Sequence, residues 1–178
     1  EIVLIGDESA LPYQRPPLSK AYLAGKCAPG ELAIRTAEFY TKQNIELVDA
    51  TVQAIDRSAS RVALSTGDSL SYDKLALCTG ARPRRLSIPG AELAGVHYLR
   101  TAADVERIHE ATSRSRRAVI VGGGYIGLET AASLRALGLE VTVLEATERV
   151  LERVTAPEVS EFFDRIHREE GVNIRNGA

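Results

Sequence analysis

Two stretches carry residues of the right type and spacing to do chemistry. GGGYIG at 122–127 sets Gly122, Gly124 and Gly127 in a G-x-G-x-x-G pattern, with Ile126 inside the turn. The apolar run AVIV precedes it, a run of good helix formers follows, and Glu145 ends the next apolar run 18 residues after Gly127. Each position has a physical task in holding a dinucleotide. Gly122 permits the tight turn, Gly124 lets the backbone approach a pyrophosphate, and Gly127 lets the helix pack closely on the strand. The free amides and positive dipole end of the helix then favour phosphate. Glu145 stands where a carboxylate accepts bonds from a ribose diol and repels a 2′-phosphate, which favours NADH over NADPH. A turn that uses glycine only for packing is the plainer alternative. The ordered occurrence of strand, turn, helix and acid favours nucleotide binding.

The second stretch is LPYQRPPLSK, residues 11–20, in which three prolines stiffen a segment bearing Arg15 and Lys20. No apolar period explains it. Such prolines can simply shape a loop and leave Lys20 a solvated charge, or they can present an ammonium group at little entropic cost. Glu129 reads as lying in the first turn of the helix after the glycine turn, where the plainer reading is the better one. A carboxylate in a first helical turn is favoured by the dipole alone.

Around these stretches the pattern is α/β, with two strand–helix units joined through a small β-meander. EIVLIG reads as a strand from the first residue, and LSKAYLAG as one or two helical turns closed by Gly25. AEFYTKQN reads as a short helix before one long strand, IELVDATVQAID. RVALS, SLSY and KLAL alternate at period two around the turn TGD and form the meander, its last strand running into CTGARPR. VHYLR reads as a further short strand. A helix over TAADVERIHEATS follows, then the strand–turn–helix–strand unit of 117–145. Pro157 opens an amphipathic helix with an apolar stripe of Val159, Phe162, Phe163 and Ile166, and GVNIRNGA begins another strand.

The bulk properties narrow the function. With 178 residues, 44% of them hydrophobic, there is material for a core. A net charge of −2 supplies no field for nucleic acid or an anionic membrane. No apolar run approaches the length of a membrane span, so no membrane or nucleic-acid partner is expected and a cytoplasmic location is the default. Cys27 and Cys78 are isolated, and His97, His109 and His167 stand apart from one another and from the cysteines, so no metal site is expected. Cys78 reads as a small core residue and Cys27 as an exposed loop residue. The start at Glu1, inside a strand, suggests a piece of a longer chain.

PYQRPPLSK, CTGARPR, GVHYLRT, VGGGYIGLE and TVLEATERVL occur in this order, and together they resemble the flavoprotein reductases that serve small iron–sulfur proteins. The resemblance covers nearly the whole chain. It implies two Rossmann-like units, both incomplete here: part of an FAD-binding domain at 1–100, lacking its first strand and own G-x-G-x-x-G, and part of an NAD-binding domain at 101–178. It further implies an enzyme that passes electrons from NADH through FAD to a ferredoxin-type iron–sulfur protein of an oxygenase system. Motif by motif, Asp7 is similar to the acid on the FAD ribose, Arg15 to the arginine near the flavin phosphates, and Lys20 to the lysine beside the flavin ring. Val52 is similar to a contact at the adenine end, Thr79 and Gly80 to a turn returning to the cofactor, and Arg82 and Arg100 to basic residues against FAD. Glu129 is similar to the carboxylate partnering that lysine, and Arg149 to a residue near the NAD adenosine.

Rival expectations share the scaffold. One is a monodehydroascorbate- or disulfide-reductase-type flavoenzyme, although the latter needs a redox cysteine pair that neither cysteine supplies. Another is an NADH-responsive interaction protein like apoptosis-inducing factor. Arg82, Arg84 and Arg85 offer a basic face for an acidic electron-transfer partner, though short charge runs are more often solvated surface.

Overall fold

Alternating β-branched residues, glycine-ended helices and one proline-fixed turn build two compact units in the computed structural model, which describes residues 1–178. The first unit comprises residues 1–14 and 33–82; the second comprises 15–32 and 83–178. By packing, the proline segment is therefore divided: residues 11–14 belong to the first unit, and 15–20 go with the C-terminal half of the chain. No helix is long and apolar enough to cross a membrane.

In the first unit, β1 (Ile2–Gly6) pairs in parallel with β2 (Ile45–Asp49), from Ile2 opposite Ile45 to Gly6 opposite Asp49. The short helix α1 (Ala37–Lys42) precedes β2. The long strand expected over 45–56 is broken at Ala50 and Thr51, and its second half, β3 (Val52–Asp56), belongs to a different sheet. The break has a packing cause. Ala50 donates its N–H to Gly6 O and turns into a small core with Val62 and Leu64, lined by Ile5, Val48, Leu70 and Tyr72. β3 continues antiparallel into β4 (Arg61–Leu64) and β5 (Ser69–Ser71). Asp56 fixes the β3–β4 turn by accepting from Ser58 N, Ser58 Oγ and Ala59 N.

The meander ends sooner than its alternation suggested. Residues 74–82 form no strand, Leu75 and Leu77 are exposed, and so is Cys78, contrary to the core position expected for it. No strand of the chain pairs with this stretch, and apolar alternation without a ladder partner does not make a strand. VHYLR is irregular for the same reason.

The second unit is a parallel sheet, β6 (Arg117–Val121), β7 (Glu140–Glu145) and β8 (Asn173–Asn176), in that spatial order. The crossovers are α3 (Tyr125–Ala136) and α4 (Pro157–Glu169). Strand, helix and strand succeed one another as in half of a Rossmann fold. Gly138 and Gly171 end the two helices at φ +87° and +84°, a backbone state that suits glycine. Leu128, Ala131, Leu134, Val141, Val143, Val172 and Ile174 are buried, whereas Val119 and Val121 are exposed. The stripe expected on α4 holds in part: Phe163 and Ile166 are half-buried, Val159 and Phe162 are exposed, and Ser160 is buried. Arg149 donates to Ser160 Oγ at 2.5 Å and draws that side of the helix inward.

The proline segment forms a 3-10 turn at Pro16–Ser19, not an α-helical one, and continues in turns to Gly25 at φ +69°. Leu18, Tyr22 and Leu23 are buried. Beside it lies α2 (Ala102–Thr112), opened by a full capping box: Thr101 Oγ accepts from Asp104 N, and the Asp104 carboxylate accepts from Thr101 N. Tyr22 donates to Glu106, and His109 is bonded to the carbonyl of Leu23.

Candidate functional site

The glycine turn between β6 and α3 has the stereochemistry its sequence demands. Gly122 sits at φ +108°, and its N–H bonds Leu144 O at 2.8 Å, closing the turn on β7. A Cβ on Gly127 would lie 2.0 Å from Gly122 O, so only glycine permits this approach of helix to strand. Gly122 and Gly124 differ from it, since a Cβ on either would meet nothing within 4 Å. Gly124 is the N-cap of α3, no side chain caps the helix, and its first turn holds no acid. The positive helix end thus faces clear space over bare backbone. A nucleotide pyrophosphate fits that combination.

Glu145 is braced by the chain itself. Its Oε2 accepts from Gly123 N at 2.6 Å, and its Oε1 accepts from both the N and the Oγ of Thr147 at 2.9 Å each. Burial pushes the carboxyl up, but the donors from Thr147 and Gly123 outweigh it and hold the group below the usual carboxylate range. Any residue but proline could donate that backbone N–H, but a side chain at Gly123 would crowd the carboxylate. A Cβ there would lie 2.9 Å from Val150 Cγ1 and 3.1 Å from Glu145 Oε2. With one donor on Oε2, a lone pair of that oxygen is left for a further hydroxyl donor.

The proline segment meets the same helix. Lys20 Nζ lies 2.7 Å from Glu129 Oε2, and Ser19 Oγ donates to that oxygen at 2.5 Å. Ser133, one turn further along α3, donates to Ser19 O at 2.8 Å. Glu129 lies in the second turn of α3, not the first, so the helix dipole does not account for it. The ammonium group is half-exposed, and an ion pair of this kind contributes at most about 1 kcal/mol to stability. Arg15 donates to Arg100 O at 3.0 Å, which joins two more of the singled-out residues.

The remaining candidates are spread more widely. Arg149 binds the loop that follows it, donating to Thr155 O, Glu152 O and Ser160 Oγ. In the first unit, Asp7 follows β1 in an exposed position, and Val52 opens β3 beside a β-bulge. Thr79, Gly80 and Arg82 lie in the irregular stretch 74–82, all exposed, with Gly80 at φ +65°. Of the basic run, Arg85 stacks over the Tyr98 ring at 4.3 Å. Cys27 is half-buried where exposure was expected. His109 and His167 are held by backbone carbonyls, and no group of three metal-ligating side chains exists.

Sequence reading missed Ser19, Gly123, Ser133 and Thr147. Ser133 had a legible signal, being a polar residue four positions beyond Glu129 on one helix face. Ser19 and Thr147 had none, since a serine or threonine in a turn is ordinary.

With this geometry in hand, comparison with known proteins is specific. The model of the pyridine nucleotide-disulphide oxidoreductase family matches residues 1–178, and the chain belongs to that family. It is 48% identical to putidaredoxin reductase of Pseudomonas putida over 180 residues, which is 99% of this chain and 43% of that protein. To rhodocoxin reductase of Rhodococcus erythropolis it is 46% identical over 175 residues, 98% of this chain and 41% of that one. Among solved structures, the ferredoxin reductase of the CYP199A2 system from Rhodopseudomonas palustris superposes with a TM-score of 0.95 at 44% identity, covering 99% of this chain and 44% of that one. The covalent putidaredoxin reductase–putidaredoxin complex gives 0.91 at 47%, with 99% and 43% covered. The chain thus spans less than half the length of these relatives.

Proposed function

We propose that the protein containing this chain is an NADH-dependent flavoprotein reductase that passes electrons through FAD to a ferredoxin-type iron–sulfur protein of an oxygenase system. The observation that carries the reading is the pairing on α3: the helix that opens at a bare glycine turn holds the Lys20 ammonium 2.7 Å from Glu129. The names of the relatives, reductases of putidaredoxin and rhodocoxin, support the acceptor class.

In this reading residues 101–178 serve NADH. Gly122, Gly124, Ile126 and Gly127 shape the pyrophosphate seat, Glu145 accepts from the adenosine ribose, and Arg149 keeps the adjoining loop in place. The ionised Glu145 also repels a 2′-phosphate, which sets NADH above NADPH. Residues 1–100 serve FAD, to which Asp7, Arg15, Lys20, Val52, Thr79, Gly80, Arg82 and Arg100 are assigned by their likeness to the family's motifs. Bound FAD supplies the chemistry of taking a hydride equivalent and releasing single electrons. Lys20 contributes a fixed positive charge that favours the reduced, more negative cofactor, and Glu129 holds that charge in place. Arg82, Arg84 and Arg85 offer charge for an acidic iron–sulfur partner acting with the enzyme in the cytoplasm.

The test uses the full-length protein. It should purify with FAD, reduce it faster with NADH than with NADPH, and reduce cytochrome c only when a putidaredoxin-type ferredoxin is added. Lys20→Ala should weaken FAD retention and slow reduction by NADH. Unchanged values in that variant remove Lys20 from the mechanism. Turnover with ascorbyl radical or a disulfide in place of ferredoxin replaces the acceptor assignment.

A further inference from the structure

We propose that Ser19 is a positioning residue for the Lys20–Glu129 pair, its hydroxyl selecting the carboxylate oxygen and orientation that the ammonium meets. Three observations carry this. Ser19 is buried, at 4% exposure, and its Oγ donates at 2.5 Å to the oxygen, Oε2, that receives Lys20 Nζ at 2.7 Å. The serine is itself held, because its carbonyl accepts from Ser133 Oγ at 2.8 Å and the neighbouring Lys20 N bonds Pro17 O at 3.0 Å. The two partners of the ion pair are far less confined, with side chains 50% and 30% exposed.

The division of labour follows from these differences. An exposed lysine–carboxylate pair loses rotamer entropy on both sides and is weak by itself. A buried hydroxyl with one χ angle has little freedom to lose, and a hydrogen bond to a charged acceptor is stronger than one between neutral groups. Two donors also fill the lone pairs of Oε2 and leave it one geometry. α3 therefore grips the proline segment at two points a turn apart, Glu129 accepting and Ser133 donating, and the lysine charge is aimed from that grip. The effect on a flavin rests on the function proposed above; the positioning of Lys20 does not.

The experiment is made in the full-length protein, with and without FAD. Reactivity of the Lys20 amine is measured by competitive acetylation and mass spectrometry in the parent, Ser19→Ala, Ser19→Thr and Glu129→Gln forms. Ser19→Ala should raise labelling two- to fivefold toward the Glu129→Gln level, and Ser19→Thr, which keeps a hydroxyl, should restore it. Unchanged labelling in Ser19→Ala overturns the proposal. So does an equal rise in Ser19→Thr, which would show that shape and not the hydroxyl matters. In the FAD-loaded protein, the flavin midpoint potential should shift in Ser19→Ala in the same direction as in Lys20→Met, and Ser19→Ala should add no further shift in the Lys20→Met background. If labelling responds while the potential does not, positioning stands and the assignment of Lys20 to the flavin falls.

Discussion

Gly127 and Gly124 stand three residues apart in one motif, yet the structure assigns them opposite sensitivities. Alanine at 127 would put its Cβ 2.0 Å from Gly122 O, where real Cβ contacts stay beyond 3.0 Å. The obstacle is backbone, so the turn must open by about 1 Å between β6 and α3. Overpacking against a rigid neighbour costs on the order of 3 kcal/mol, which lowers the thermal midpoint by roughly 5–10 °C. At 124 a Cβ meets nothing within 4 Å, and the backbone, at φ −77° and ψ −178°, accepts any residue. Alanine is a poorer N-cap than glycine by less than about 1 kcal/mol, and reduced freedom of the unfolded chain offsets part of that. Gly124→Ala should therefore melt within 2 °C of the parent, since a ~1 kcal/mol change moves a domain of this size by only a few degrees. It should nonetheless bind NAD at least about tenfold more weakly, because the methyl group stands between the helix end and the phosphates. Differential scanning fluorimetry and calorimetric titration of NAD, on the full-length protein, read the two quantities separately. The reasoning is refuted if Gly124→Ala binds NAD normally, or if the two variants lose equal stability.

Glu145→Gln should reduce the preference for NADH over NADPH about tenfold in kcat/KM, since the charge that repels a 2′-phosphate is gone. It should also weaken binding of both nucleotides, because an amide cannot accept at both oxygens from Gly123 and Thr147. Thr101→Ala should cost about 1 kcal/mol by removing half of the capping box of α2, measured by chemical denaturation. Burial pushes the Asp104 carboxyl up, but hydrogen bonds from Thr101, Arg107 and Arg100 outweigh it and hold it below its ordinary 3.8. The stabilisation it gives is then complete above about pH 4 and lost as pH falls through the lower folded value. Asp104→Asn should flatten that acid limb of the stability profile; an unaltered limb would show that Asp104 does not create it.

Local chemistry was legible wherever a motif carried its own stereochemical reason. G-x-G-x-x-G between a strand and a helix could be located because Gly127 has no substitute 2.0 Å from a carbonyl, and Pro157 and Gly138 bound helices by rules that need no neighbours. The meander's end and the VHYLR stretch were misread because alternation records apolar spacing and is silent on whether a partner strand exists. Likewise the stripe on α4 was right for Phe163 and Ile166, which are half-buried, but not for Val159 and Phe162, and the buried Ser160 is held by an arginine eleven positions before it.

By itself the sequence determined that the glycine turn at 122–127 needs unusual backbone, that the chain carries little net charge, and that a proline-stiffened segment ends in a lysine. Tertiary structure alone decided that this lysine shares a carboxylate oxygen with its neighbouring serine, and that Glu145 braces the turn it was expected to serve. The physical reason is range. Backbone stereochemistry and helix termini are settled within a few residues, whereas Ser19 meets Glu129 across 110 positions of chain, and only the packed fold brings such groups within hydrogen-bonding distance.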